Sequence, residues 1–220
     1  MTEPDPIVFV IDDDDSVRKS LSRVLRSAGY RTETFASARD FLQHGPSREP
    51  GCLVLDLQLP DMDGLELQQV LAQAARALPI VFISGHADIP ASVRAMRGGA
   101  IDFLPKPFAA SDLLRAIGEA LERSRREVKD RRQVAAIQER LARLTPREHE
   151  VMCGVVAGRL NKQIAAELGV GEQTVKVHRG RVMEKMGVHS VADLVRLVEK
   201  SGAMSIAPAD EPFSPYQAAT

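Results

Sequence analysis

The sequence predicts an α/β doubly wound sheet of five parallel strands, followed by a helical linker and a separate all-α unit of four short helices. Three observations predict it. Short apolar runs recur through the first half, at residues 8–11, 53–55, 80–83 and 101–105; fully buried parallel strands read as such runs. Helix-like stretches alternate with them, the order expected of a parallel sheet built from crossovers. From Thr145 onward the strand pattern is gone and one short helical segment follows another.

Residues 8–11 run into Asp12-Asp13-Asp14-Asp15. The stretch 16–28 repeats apolar residues at Val17, Leu21, Val24 and Leu25 and stops at Gly29, as an amphipathic helix does. Residues 30–35 alternate more weakly and read as another strand. The run 53–55 leads into Asp56 and a turn-rich loop ending at Gly64. Helical spacing returns over 65–77. The run 80–83 ends at Ser84, and 90–96 reads as a helix closed by Gly98-Gly99. The run 101–105 leads into Lys106-Pro107. Ser111 can cap a helix that begins with Asp112 and buries Leu113, Leu114, Ile117 and Leu121.

After Leu121 the character changes. Residues 122–132 are dense in both charge signs, with Val128 the one apolar residue; Val134, Ile137, Leu141 and Leu144 then resume helical spacing. This is either a solvated extension of the preceding helix or a linker that pairs with a second chain. Polar a and d positions favour the solvated reading, with pairing confined to the ends. Thr145-Pro146-Arg147-Glu148 is a capping box with Pro at the first helical position. Helices over 161–168, 172–186 and 190–200 follow, each closed by a glycine. The predicted boundaries are 1–122, a linker 123–143, a second domain 144–201 and a disordered tail 202–220.

Composition excludes some classes. No apolar run approaches a membrane span and no basic-then-apolar signal opens the chain, so a cytoplasmic protein with no membrane partner is expected. Cys52 and Cys153 make no framework or metal motif and read as small core residues. Residues 1–110 carry 11 Lys and Arg against 15 Asp and Glu, whereas residues 144–201 carry 9 against 7. The second surplus is too weak to prove nucleic-acid binding, so the placement of the charges must decide.

Open α/β sheets bind ligands at the carboxyl ends of their strands. If the runs are neighbouring strands, Asp12, Asp13, Asp56, Ser84 and Lys106 converge on one edge. Asp56 can attack a phosphoryl group in line to give an acyl phosphate. The attack needs a cation, and Mg²⁺ suits Asp13, Asp56 and the carbonyl of Gln58, with Asp12 holding a metal-bound water. Lys106 can neutralise developing charge and Ser84 can donate to a phosphoryl oxygen. Each residue alone has an ordinary explanation in a solvated loop or turn; all of them in this order, each at a strand end, point to phosphoryl chemistry.

In the second domain, residues 161–168 and 172–186 joined through Gly169-Val170-Gly171 form a helix-turn-helix pattern. Val175, His178, Val182 and Met186 share one face and should be core, with His178 a satisfied core histidine. Gln173, Lys176, Val177, Gly180 and Arg181 lie opposite, flanked by Arg179 and Lys185. Such a face suits a major groove, with basic residues on phosphates. Val191, Leu194 and Val195 offer an apolar face for dimerisation.

The acidic pair, the D-L-Q-L-P-D-M-D-G segment, the Ser and the K-P-F triplet resemble the receiver domain of two-component response regulators. The resemblance implies phosphorylation of Asp56 by a sensor histidine kinase. It also implies an acidic metal-binding pair at Asp12 and Asp13, a switch hydroxyl at Ser84, the phosphate-facing lysine at Lys106, a switch aromatic at Phe103 and a cis bond before Pro107. Asp14 departs from the pattern by adding charge beside the pair, which would alter metal affinity. L-T-P-R-E, N-K-Q-I-A-A-E-L-G-V and T-V-K-V-H-R-G-R-V-M-E-K-M resemble the LuxR-type tetrahelical helix-turn-helix DNA-binding domain. Together the halves are similar to FixJ-type transcription regulators of the NarL group, and G-C-L-V-L-D with T-V-K-V-H-R resembles the subgroup controlling styrene and toluene catabolism. This implies Lys176 and Val177 near bases and Thr174, Arg179, Arg181 and Lys185 near the DNA backbone. It further implies a homodimer when phosphorylated, with promoter DNA and RNA polymerase as partners. Gly180 stands where some relatives have lysine, and Gly171 replaces the usual capping side chain.

Two other readings are open on the residues. A haloacid-dehalogenase-type phosphatase also uses Asp, Ser or Thr, and Lys at strand ends, with Asp12 as nucleophile. It needs a later acidic pair, and no apolar strand ending in one follows Lys106. Alternatively the second domain could be a protein-docking module.

Overall fold

The computed structural model describes residues 5–45, 49–73, 78–85 and 89–202. The chain divides between Lys129 and Asp130 into two compact units.

The first unit alternates strand and helix: β1 Ile7–Ile11, α1 Asp15–Ser27, β2 Arg31–Phe35, α2 Ala38–Gln43, β3 Gly51–Asp56, α3 Gly64–Gln73, β4 Ile80–Ser84, α4 Ile89–Arg97 and β5 Asp102–Pro105. All four strand pairings are parallel, in the order β2-β1-β3-β4-β5. The five-stranded expectation is therefore met. Side chains alternate across the sheet. Ile7, Phe9, Ile11, Leu53, Leu55 and Phe82 pack with Phe41 of α2, Leu67 and Leu71 of α3 and Ala95 of α4. Val8, Val10, Cys52, Val54, Val81 and Ile83 pack on the other face with Leu21 and Leu25 of α1. They are joined there by Leu113, Ile117 and Leu121 from α5, Ala110–Ala142.

Several expectations need correction. α2 is a helix that sequence periodicity missed: six residues are too short to repeat, although Ser37 Oγ caps it by accepting from Asp40 N at 3.1 Å. α5 starts at Ala110, so Ser111 lies inside it rather than capping it. The segment 123–143 continues α5, one helix running unbroken through 142, but it is not solvated along its whole length. Ser124 and Val128 are buried, and Ser124 Oγ accepts from Gly51 N at 3.0 Å. Ile137 is buried in the core of the second unit. The end of the expected 65–77 helix, 74–77, and the expected disordered tail beyond Gly202 lie outside the described residues.

The second unit holds α6 Pro146–Val156, α7 Asn161–Leu168, α8 Glu172–Met186 and α9 Val191–Ser201. Thr145 and Glu148 form the expected capping box on α6. The α7–α8 turn is made by Gly169 at φ 64° followed by Gly171, which caps α8 with no side chain. A left-handed residue at a helix end favours glycine, which explains Gly169 there. Val151, Met152, Ile164, Val175, Val182, Met186, Leu194 and Val198 form the core.

Candidate functional site

Strand register brings the expected phosphoryl-site residues to one edge. Ile11 pairs with Leu55, Asp56 with Ile83 and Ser84 with Pro105. Asp12, Asp56, Ser84 and Lys106 therefore leave adjacent strands at the same edge. Ligand atoms of Asp12, Asp13 and Asp56 all lie within 4.8 Å of one another. Opposite ligands of an octahedral magnesium ion stand about 4 Å apart, so small side-chain rotations would close the three carboxylates on such an ion. Asp12 is fully buried and Asp56 nearly so, whereas Asp13 is exposed. Gln58, two residues beyond Asp56, is exposed in the loop that follows.

Lys106 Nζ donates to Asp12 Oδ2 at 2.6 Å and to Asp56 Oδ1 at 3.1 Å. Its backbone N–H donates to the Ser84 carbonyl at 2.7 Å, and the Lys106–Pro107 peptide is cis. Burial works against the Lys106 charge, but the hydrogen bond to Asp12 and the charge of Asp56 outweigh it and hold the ammonium above its usual range. Burial is also the largest influence on Asp56 and pushes its carboxyl up. Lys106 pulls it back, and the neighbouring charges of Asp12 and Asp13 add to the rise. Ser84 is buried at the end of β4. Phe103 on β5 is half-buried, its ring 6.2 Å from that of Phe82 and near parallel to it.

Asp14 has a structural task. It caps α1, its Oδ1 accepting from Ser16 N at 2.7 Å and Val17 N at 3.3 Å. Its charge therefore faces the positive end of a helix.

Four residues escaped sequence reading. Arg18 Nη1 donates to the carbonyls of Asp12 and Asp13 at 2.7 and 2.8 Å. Asp61, in the loop after Asp56, accepts from Ala38 N at 3.3 Å and Arg39 N at 2.9 Å, supplementing the cap of α2. Gly64 opens α3 so close to β3 that a Cβ there would lie 2.7 Å from the Asp56 carbonyl oxygen. Glu148, the capping residue of α6, is buried against Lys185. Glu148 carried a signal for its cap alone, and Asp61 and Gly64 stand in the segment 56–64 without a sign of these contacts.

On α8, Val175, Val182 and Met186 are buried, while Thr174, Lys176, Val177, Gly180 and Arg181 are exposed. The two-faced helix is as anticipated, and two basic residues on its flank have partners within the unit. Lys185 Nζ donates to Glu148 Oε2 at 2.6 Å and the Arg143 carbonyl at 3.1 Å, so its ammonium is engaged within the unit. Arg179 Nη1 donates to Asn161 Oδ1 at 3.0 Å, tying α8 to the start of α7. His178 is half-buried, but its buried Nδ1 has no hydrogen-bond partner among the described residues, so it is not the fully satisfied histidine expected. The proposed apolar dimer face is also corrected. Leu194 is fully buried in the unit's own core and Val191 packs against that core, because α9 uses this side to close the bundle. Val195 alone does not offer a face. Among the described residues, the large apolar side chains left exposed include Ile89, Val93 and Met96 on α4, which share one side at helical spacing.

No described helix is long and apolar enough to cross a membrane. Residues 8–118 match the response regulator receiver domain, and residues 142–198 match bacterial regulatory proteins of the luxR family. Nodulation protein W of Bradyrhizobium diazoefficiens is 49% identical over 196 residues, covering 89% of this chain and 86% of the relative. The solved structure of the response regulator StyR is also 49% identical, with a TM-score of 0.80 over 89% of this chain and 99% of that one. Full-length FixJ from B. japonicum is 39% identical, with a TM-score of 0.53 over 93% and 100%. Equal identity to nodulation protein W and StyR favours no one regulon. The receiver match sets aside the phosphatase reading, and the luxR match sets aside the docking module. With an acidic pocket at one sheet edge and a helix-turn-helix after it, the chain belongs to the FixJ-type response regulators, transcription regulators of the NarL/LuxR group controlled by phosphorylation and acting with a kinase and promoter DNA.

Proposed function

We propose that Asp56 is the phosphoacceptor and that its donor is the phosphohistidine of a sensor histidine kinase. The observation that carries this reading is the carboxylate cluster of Asp12, Asp13 and Asp56 with Lys106 Nζ 3.1 Å from Asp56. The Asp56 oxygen attacks phosphorus, the bond from phosphorus to the donor nitrogen breaks, and the imidazole keeps the electron pair. Asp56 must be ionised to attack; the Lys106 charge favours that form against burial. Asp12, Asp13, Asp56 and the Gln58 carbonyl would hold Mg²⁺, whose charge offsets repulsion between the nucleophile and the phosphoryl oxygens. Lys106 and Ser84 then hydrogen-bond the phosphoryl oxygens on the product.

Phosphorylation would draw the Ser84 hydroxyl inward and let Phe103 turn after it, biasing the surface around β5 and α4 toward a dimer. The exposed stripe of Ile89, Val93 and Met96 supports α4 as the pairing face. In the second unit, the exposed side of α8 supports Lys176 and Val177 as base readers, with Thr174, Arg179 and Arg181 at phosphates; Arg179 has donors to spare beyond its one bond to Asn161. RNA polymerase follows as a partner from the function class alone. The test is labelling by acetyl phosphate with and without Mg²⁺. Wild type should take up label only with the metal, and Asp56→Asn should take up none while staying folded. Full labelling of that variant would overturn the assignment.

A further inference from the structure

We propose that Arg18 is a positioning residue of the phosphoryl site, fixing the backbone of the acidic turn so that Asp12 and Asp13 stay aimed at one cation. The proposal rests on the reading of the carboxylate cluster as a Mg²⁺ site.

Asp12, Asp13 and Asp14 lead into Asp15 at the start of α1, and four neighbouring carboxylates repel one another. Asp14 is held by the helix it caps, and the Asp12 carboxylate by Asp14 N at 2.9 Å and Lys106. The Asp13 side chain is exposed, so its direction depends on the backbone that carries it. One nitrogen of Arg18 bonds both adjoining carbonyls, Asp12 O at 2.7 Å and Asp13 O at 2.8 Å. Bonds from a charged donor are shorter and stronger than neutral ones. Two successive carbonyls drawn to one donor restrict the dihedrals between them, and so the direction in which the Asp13 carboxylate leaves the chain. The Arg18 side chain is only 16% exposed, against 75% for Lys19 beside it, so it is seated rather than loose on the surface.

Electrostatics alone argues the opposite. A guanidinium beside a cation site repels the cation, and removing it should tighten metal binding. The structure reduces that cost, because Arg18 Nη2 pairs with Asp15 Oδ1 at 3.1 Å. Lys19 pairs with the same carboxylate at 2.6 Å, but the Asp12 and Asp13 carbonyls take their side-chain bonds from Arg18. Arg18 and Lys19 are thus two nearby cations on one helix, and only Arg18 holds the carbonyls.

The experiment is calorimetric titration of Mg²⁺ into the full chain, with thermal melts run in parallel. The variants are Arg18→Ala, Arg18→Met, which keeps an aliphatic stem and good helix propensity, and Lys19→Ala. Arg18→Ala and Arg18→Met are expected to bind Mg²⁺ about tenfold more weakly than wild type, while Lys19→Ala binds as wild type or slightly more tightly. If Arg18→Ala does not fold, Arg18→Met decides. A folded Arg18 variant that binds Mg²⁺ as tightly as wild type, or more tightly, overturns the proposal. Equal weakening in Lys19→Ala also overturns it, since charge and not the clamp would then be responsible. If wild type itself binds no Mg²⁺, the reading of the cluster fails, and the clamp with it.

Discussion

Lys185 Nζ lies 2.6 Å from Glu148 Oε2, so an ion pair locks the last turn of α8 to the first turn of α6. The hydrogen bond from Lys185, reinforced by the Thr145 backbone N–H, holds the Glu148 carboxyl at about 2, below its usual value of 4.5. A carboxyl whose folded value is depressed stabilises the fold above its unfolded value and loses that contribution as pH falls toward the folded one. The second unit should therefore weaken as pH drops from about 5 toward 2. Glu148→Gln should cost roughly 1–3 kcal/mol at neutral pH. The gap between variant and wild type should narrow on acidification, which melts of both chains at several pH values would check.

Because Lys185 serves this lock, its removal should act on stability rather than on DNA reading. Lys176→Ala should lose roughly 1–3 kcal/mol on a selected promoter and relax preference at one base pair. Arg181→Ala should weaken promoter and scrambled DNA alike and reduce the salt slope. Titrations of the three variants at two salt concentrations separate these outcomes. Equal loss on both DNAs for Lys176→Ala would remove it from base reading.

Gly64→Ala brings a Cβ to 2.7 Å from the Asp56 carbonyl oxygen and 3.1 Å from the Phe82 ring. The backbone contact cannot rotate away. Overpacking of this kind costs about 1–3 kcal/mol, and here the strain falls on the residue proposed as the nucleophile. Denaturant unfolding should show the loss, and acetyl phosphate labelling of the folded fraction should slow.

Val93→Asp, in the exposed stripe of α4, should leave labelling of Asp56 intact and abolish phosphorylation-dependent dimerisation. Ser84→Ala should likewise accept phosphate but dimerise poorly. Sedimentation with and without a phosphodonor measures both. A Val93→Asp chain that dimerises like wild type would move the pairing surface elsewhere.

The sheet was legible because buried parallel strands leave unbroken apolar runs, and the site because its residues follow those runs directly. α2 was not legible: six residues give no period, and its capping partner Asp61 is 23 positions from Ala38 in sequence. The dimer face was misread because an apolar stripe on α9 looks the same whether it closes its own bundle or meets another chain. Leu194 at zero exposure decides for the bundle. The Lys185 contact escaped for a related reason, since a basic residue on the flank of a helix gives no sign that a buried glutamate waits on another helix. Arg18 gave no signal because its partners are backbone carbonyls, which every sequence supplies.

The contact between Asp61 and α2 also limits how this receiver can be rebuilt. Residues 57–63 look like a portable cassette, a loop that could be exchanged between relatives to retune the lifetime of the phosphoryl group. Yet the cassette carries the acceptor for the amides of Ala38 and Arg39, at the start of α2. A transplanted loop without an acid at position 61 would leave those two amides without that acceptor. The exchangeable part is a discontinuous one, the loop together with the turn into α2.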